Sequence, residues 1–482
     1  MNYSFGKIVA DYLTRIGEIS VTNPSMRRFL LKNVERKLYD DLIKANPDNR
    51  PLKVQEDKYY MGRALIHSIG KAFDKGYISK EATKGLIRVF LGNVFFGGFY
   101  KRRNFIEKHG FKPPMFITIS PTRACNLRCE GCYAGGGEEG NKLEFDVFDR
   151  IIEDAKTLWG TNFFVISGGE PLIYRSQGKT FVDLTRKHSD CFFLMYTNGT
   201  LINKKMAKDL ADLGNITPAI SIEGFKKETD ERRGKGVWEK TQAAMQNLRN
   251  EGVPFGISFT LTKYNADMVV SDEFLDFYFE KQGAIYGWIF HYMPIGRDYN
   301  LDLLPTPEQR VALIRKEWEI VKRRKIFFPD FWNSGTSSDG CICAARGGGY
   351  FYIDWNGDVM PCVFIHYSTH NINEVYKSGG NLDTIINSEL FKLIRRWQSD
   401  YAYEQPPNKV GNLLRQCPVR DHYGELYKIL RKTNARPTNE YARKALEDQE
   451  YREGLIQYGK EIEKLTKDWW KKEYLNSKSV FV

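Results

Sequence analysis

The chain has 482 residues, 72 Lys plus Arg against 60 Asp plus Glu for a formal net charge of +12, and eight cysteines. That length fits more than one domain. The first twenty residues lack a basic segment followed by an unbroken apolar run, so no secretory signal is visible and an export-type disulfide framework is not expected.

The basic excess is local. Residues 1–112 hold 22 Lys plus Arg and 11 Asp plus Glu, a net of +11, and no cysteine. They read as a helical N-terminal domain, with Phe5, Ile8, Val9, Tyr12, Leu13 and Ile16 on one helical stripe. "GLIRVFLGNVFFGGFYKRR" (85–103) is apolar for roughly 16 residues, short of the ~20 that a spanning helix needs. A basic, aromatic surface lying in a membrane interface fits better, since each basic side chain near an anionic leaflet adds about 1 kcal/mol. Packing on a neighbouring domain explains such stripes, but not the charge beside them. Nucleic acid is another partner for basic segments, but no nucleic-acid module is recognisable. The expectation is therefore an anionic membrane surface, no nucleic acid, and a cytoplasmic protein peripheral at the membrane.

After the apolar run "MFITIS" (115–120) comes "PTRACNLRCEGCYAGG" (121–136), with Cys125, Cys129 and Cys132 in eight positions. Three clustered thiols in a reducing compartment bind metal or do redox chemistry more often than they crosslink. Structural zinc usually takes four ligands in two pairs, and no second local pair follows. Three cysteines on one loop suit an iron–sulfur cubane with one iron free of protein ligands.

CxxxCxxC in this position resembles the signature loop of radical S-adenosylmethionine (SAM) enzymes. The resemblance implies that the open iron is chelated by S-adenosylmethionine, whose reductive cleavage releases a hydrogen-abstracting 5′-deoxyadenosyl radical. A flavodoxin or ferredoxin would supply the electron. The aromatic residue that usually precedes the third cysteine is Gly131 here, and Tyr133 follows instead.

Short β-rich runs then alternate with amphipathic segments: 163–167, 191–197, 217–222, 255–262 and 286–292. In "FDVFDRIIEDAKTLW" (145–159), Val147, Ile151, Ile152, Ala155 and Leu158 keep helical spacing. The alternation argues for an α/β fold with a parallel sheet. With the resemblance, the expected fold is a partial (β/α)6 barrel over 113–330, with functional groups at the strand ends. The family pattern places Gly168, Gly169 and Glu170 of "SGGEP" on the amino group of S-adenosylmethionine. It places Ser221 and Glu223 on ribose hydroxyls and Arg233 near the carboxylate, with Asn198 a further cofactor contact. "MPIGR" (293–297) after the sixth strand also looks like this family.

The Gly/Ser-rich stretch 331–341 reads as a boundary. Beyond it, Asn356-Gly357 between two apolar runs signals a hairpin. From Cys343 the spacing C-x13-G-x4-C matches the start of the SPASM or twitch extensions of radical enzymes. These imply an auxiliary iron–sulfur cluster in 331–425, held by Cys341, Cys343, Cys362 and Cys417. There is room for one such cluster, not two, and whether Cys341 and Cys343 both bind stays open. A structural zinc at these four cysteines is the alternative. Cys191, in an apolar strand, reads as core.

Residues 426–482 read as a C-terminal helical segment, whose Trp469 and Trp470 between lysines look interfacial. The helical preface, the single-cluster tail and "CPVRDHY" resemble radical enzymes acting on membrane lipid chains, the bacterial membrane-spanning-lipid and archaeal tetraether synthases. That resemblance implies C–C coupling of two lipid tails. The alternatives are a peptide-modifying maturase of the same superfamily and a non-catalytic, zinc-stabilised binding protein.

Overall fold

Six of the apolar runs become parallel strands. In the computed structural model, which describes residues 23–297 and 299–476, these are β1 (Phe116–Ile119), β2 (Phe163–Ile166), β3 (Phe192–Thr197), β4 (Ile216–Ile222), β5 (Gly256–Leu261) and β6 (Gly287–His291). Each pairs parallel with the next in chain order. Parallel neighbours need crossovers. Helices Phe145–Asp154, Lys204–Leu213 and Val237–Asn250 supply three of them. In the first, Phe148, Ile151, Ile152 and Ala155 are fully buried and Trp159 closes the face. Val147 and Leu158, expected on the same stripe, are only partly buried.

The tail adds to this sheet. β7 (Tyr350–Ile353) pairs parallel with β1, Tyr350 opposite Phe116, and β8 (Asp358–Met360) and β9 (His370–Asn371) follow antiparallel. The order is β9-β8-β7-β1-β2-β3-β4-β5-β6. The turn at Asn356-Gly357 is present, with Gly357 at φ +83°. The Gly357 N–H reaches the Asp354 carbonyl at 3.0 Å, which makes the loop 354–357 longer than the dipeptide signal suggests.

The stretch 331–341, where a boundary is expected, is packed. Trp332, Asn333 and Thr336 are buried, and a Cβ on Gly335 would come within 2.3 Å of the Leu413 carbonyl oxygen. Its small residues mark close approach rather than slack.

Of the first two N-terminal helices, the second belongs to the same core through Val54, Met61 and Ala64, while the first buries only Arg27. Within α1 (Pro24–Tyr39) and α2 (Leu52–Asp74), the end of α2 carries Ala72, which packs with Ile69 and Tyr77 on Val165, Leu194 and Ala219 and closes one end of the barrel. Asp57 of α2 is fully buried and accepts from Thr336 (3.0 Å) and from Tyr474 near the C-terminus (2.8 Å). The stripe Phe5–Ile16 lies outside the described residues. Trp470, expected at an interface, is instead core: it is buried, stacks on Tyr474 and donates to the Val410 carbonyl. Trp469 lies against the core with the Arg315 guanidinium 4.1 Å from its ring. No helix among the described residues is long and apolar enough to cross a membrane.

Candidate active site

The three loop cysteines stand on the segment leaving the C-terminal end of β1. The loop is held by main-chain and side-chain clamps rather than by regular structure. The Cys125 N–H bonds the Gly137 carbonyl at 2.6 Å, and Arg297 donates to the carbonyls of Cys129 and Gly136. Gly296, at φ +76°, lies where a Cβ would meet the Cys132 carbonyl oxygen at 2.6 Å. The "GR" of "MPIGR" thus fastens the cysteine loop from the end of β6. Gly131, in place of the usual aromatic, is explained by Tyr292: a Cβ there would sit 2.7 Å from its ring.

Cys125, Cys129 and Cys132 line a cavity of about 300 Å³ that runs down the barrel. Gly168, Gly169, Asn198, Ser221 and Arg233 line it as well, so the structure brings these expected residues together. Two others stand behind the wall. Glu170 is fully buried, and its oxygens accept from Thr197 Oγ1 (2.8 Å), the Asn198 N–H (2.8 Å) and the Leu172 N–H (3.2 Å). Burial raises its pKa against those bonds. In this structure the carboxylate fastens the ends of β2 and β3 together. Glu223, also buried, is engaged by Arg232 and Arg233 and accepts from the Thr260 N–H. Gly169 serves close packing, because a Cβ would lie 2.1 Å from the Ala124 carbonyl oxygen.

Sequence reasoning gave no role to several residues here. Tyr133 shares a hydrogen bond with Ser167 (2.7 Å) and accepts from the Gly168 N–H (3.0 Å), joining the cysteine loop to the glycine turn. Its aromatic position one place after the third cysteine was the available signal. Arg232 gave none beyond adjacency to Arg233. His291, the last residue of β6, lines the cavity while Asp330 holds its Nε2 (2.7 Å) and Arg420 its Nδ1 (2.8 Å).

The cysteine loop fits an iron cluster chemically. Burial, with Glu170 and the other two thiols, pushes Cys125 up to about 12. Such a crowd of sulfurs is stable as thiolates only around a cation, which deprotonates coordinating thiols outright. In the tail, Cys341, Cys343, Cys362 and Cys417 all line a second cavity of about 200 Å³. Zinc at a Zn–S distance of ~2.3 Å would draw its sulfurs to within roughly 4 Å of one another. Among the described residues, the groups of three ligand atoms that close are His188–Asp190–Cys191 and His291–Glu317–Asp330. The four tail cysteines are gathered on one cavity, a donor set that suits an iron–sulfur cluster. In the first tight group Lys156 already supplies a cation, 2.9 Å from Asp190.

A radical SAM superfamily model matches residues 119–274, and an iron–sulfur cluster-binding (SPASM) domain model matches 341–417. The chain is 30% identical over 307 residues to the mycofactocin maturase MftC of Mycolicibacterium smegmatis, covering 61% of this chain and 75% of that one. It is 32% identical over 152 residues to the Fe-coproporphyrin III synthase of Methanosarcina barkeri, covering 31% of this chain and 37% of that one. Among solved structures, Streptococcus suis SuiB bound to precursor peptide SuiA shares the fold at TM-score 0.50 and 19% identity, covering 70% of this chain and 76% of that chain.

Proposed function

The chain belongs to the radical SAM superfamily, and on that footing we propose that it is a maturase that modifies a peptide by hydrogen abstraction. Its cofactors are a [4Fe–4S] cluster, S-adenosylmethionine and an auxiliary cluster. When bound, they supply homolytic abstraction of hydrogen from an unactivated carbon. We assign the first cluster to Cys125, Cys129 and Cys132 and the auxiliary one to the four tail cysteines, with an external donor of the flavodoxin or ferredoxin kind. The chain's own residues position and shield. Asn198, Ser221 and Arg233 present polar atoms along one side of the cavity, while Trp288, Phe290, Phe331 and Phe364 keep its inner part dry.

The observation that carries the peptide reading is the 30% identity with a maturase over 307 residues, since the heme synthases that align over a similar length, 289 and 350 residues, are 26% and 25% identical. Charge supports it. A tetrapyrrole brings several carboxylates, whereas the arginines lining the cavity, Arg232 and Arg233, are both engaged by Glu223. Coupling of lipid tails, expected from the closer resemblance, gains no support from the relatives above and gives way to its alternative.

The test offers reduced, anaerobically reconstituted enzyme and S-adenosylmethionine three probes: a pooled library of synthetic peptides, iron coproporphyrin III, and phospholipid vesicles. The expected result is a mass change in peptides alone, with 5′-deoxyadenosine formed in step. Turnover of the porphyrin or of acyl chains, with peptides untouched, overturns the reading.

A second proposal, independent of substrate, is peripheral attachment to an anionic membrane. It rests on the helices Gly85–Phe96 and Phe99–His109. Phe90 and Val94 pack inward on the start of β3, while Leu91, Phe95, Phe99 and Tyr100 remain exposed, the last two at 65%. Residues 82–106 contain five basic and no acidic side chains. Exposed aromatic patches of this kind mark contact surfaces. The patch flanks the strand starts, whereas the cysteine loop leaves a strand end, so attachment here would not by itself feed lipid to the cavity. Binding to phosphatidylglycerol vesicles should fall as salt rises, the Debye length shrinking to about 3 Å at 1 M. Phe95→Asp should remove the salt-resistant remainder. Equal binding to neutral vesicles, or none to either, would refute the attachment.

A further inference from the structure

The two cysteine sets differ in what surrounds their sulfurs. In the tail, the indole N–H of Trp332 points at Cys417 Sγ, 3.2 Å away, and the phenol of Tyr350 lies 2.9 Å from Cys362 Sγ. The Gln398 amide stands 3.4 Å from Cys343 Sγ, although it also donates to the carbonyls of Cys341 and Cys343. Trp332 and Tyr350 are each only 1% exposed, so water does not compete for these contacts. At the barrel loop, Cys125 Sγ receives the Leu127 N–H at 3.4 Å, and the Asn198 amide stands at 3.8 Å.

We propose that Trp332 and Tyr350 set the reduction potential of the auxiliary cluster, raising it above that of the barrel cluster by donating hydrogen bonds to its thiolate ligands. A thiolate bound to iron carries no proton, so the phenol must be the donor to Cys362 and the indole the donor to Cys417. Each bond places positive charge against a sulfur whose electron density rises on reduction, and hydrogen bonds to the sulfurs are among the factors that set cluster potentials. Burial strengthens the effect by removing the screening that solvent would provide.

Two features tie this to the fold. Tyr350 opens β7 beside Phe116 of β1, so the register that joins the tail to the barrel also fixes the phenol. Tyr350, Phe331 and Phe364 line both the barrel cavity and the tail cavity, so a single layer of aromatic side chains separates them. Trp332 is in turn backed by the buried Arg420 guanidinium, 5.3 Å from its ring. Trp332 and Tyr350 are positioning residues, since they act through the cysteines.

The test is an EPR-monitored redox titration of the full-length, anaerobically reconstituted protein carrying Cys125, Cys129 and Cys132→Ala, which isolates the tail signal. Adding Tyr350→Phe and Trp332→Phe should lower the reduced-to-oxidised ratio at a fixed solution potential by about tenfold, a shift of about 59 mV for one electron. Tyr350→Phe alone, which keeps the ring, should give part of the same negative shift. With the barrel cysteines restored, the barrel cluster should titrate unchanged. A purely structural role would lower iron content or thermal stability while leaving the potential of the remaining clusters in place. That result, in Tyr350→Phe or in the double variant, overturns the proposal.

Discussion

Asp421→Ala should destabilise the folded chain by about 3–5 kcal/mol, a large part of the ~5–15 kcal/mol that holds a typical domain together. Asp421 and Arg310 are both fully buried and meet in a two-pronged ion pair. Arg310 also donates to Asn333 Oδ1 (3.0 Å) and the Leu414 carbonyl (3.1 Å). Asp421 accepts the Cys417 N–H at 3.1 Å. Removing the carboxylate strands a guanidinium that has no route to water. The helix Pro307–Glu319, which carries Arg310, follows the last barrel strand, so the pair locks the barrel to the loop that carries Cys417. Denaturant midpoints of the full chain measure the loss. Replacing both partners by apolar residues of similar size should cost less than Asp421→Ala alone, because Arg310 is then no longer stranded, although the buried Arg420, 3.6 Å from Asp421, still loses its carboxylate. A single-variant loss below about 1 kcal/mol would show that the pair is not buried as described.

The same cluster sets an acid limit. Burial holds His291 neutral, with its pKa down at about 4, while an unfolded histidine titrates near ~6.5. The unfolded chain therefore binds more protons as pH falls from about 6.5 to about 4, and stability should decline across that window. His291→Gln, whose side chain does not titrate in this range, should make the decline shallower, the remainder being carried by His366 and His422, which burial also holds down at about 4.

How much of this was readable in the sequence depended on how local each signal was. The strands, the CxxxCxxC loop and the hairpin at Gly357 are each written in a few consecutive residues. Their positions followed from spacing and from the period of apolar side chains. The register of Tyr350 against Phe116 was not readable, because nothing in either segment names its partner. The packing of 331–341 was not readable for a related reason: glycine and serine occur both where a chain is slack and where two backbones must touch, and only the neighbours distinguish the cases. Trp470 shows the same limit. Lysines around a tryptophan suit a membrane edge, yet the indole stacks on Tyr474 inside the core. Glu170 and Glu223 were picked out by motif, but their partners were not, because Thr197 reaches Glu170 from the end of another strand and Arg232 reaches Glu223 from the helix Lys226–Arg233 that follows it.

Replacing Cys125, Cys129 and Cys132 together by Ala should cut the iron content of anaerobically reconstituted protein from about eight per chain to about four, and abolish cleavage of S-adenosylmethionine to 5′-deoxyadenosine. The iron follows from two separate cavities, one bounded by each cysteine set. The loss of cleavage follows from location. The three cysteines share their cavity with Asn198, Ser221 and Arg233, whereas the tail sulfurs lie beyond the aromatic layer of Phe331, Tyr350 and Phe364. Cys362→Ala should therefore leave 5′-deoxyadenosine formation in place while reducing product. Its cost in folding should be visible but small, because Cys362 follows β8, one of the three strands that the tail adds to the sheet, rather than a barrel strand. Elemental analysis of the two variants side by side decides the matter. If zinc rather than iron fills the tail of the triple variant after oxygen-free reconstitution with excess iron and sulfide, the auxiliary centre is structural. If the triple variant keeps all its iron, the loop that most resembles a radical enzyme is not where the cluster binds.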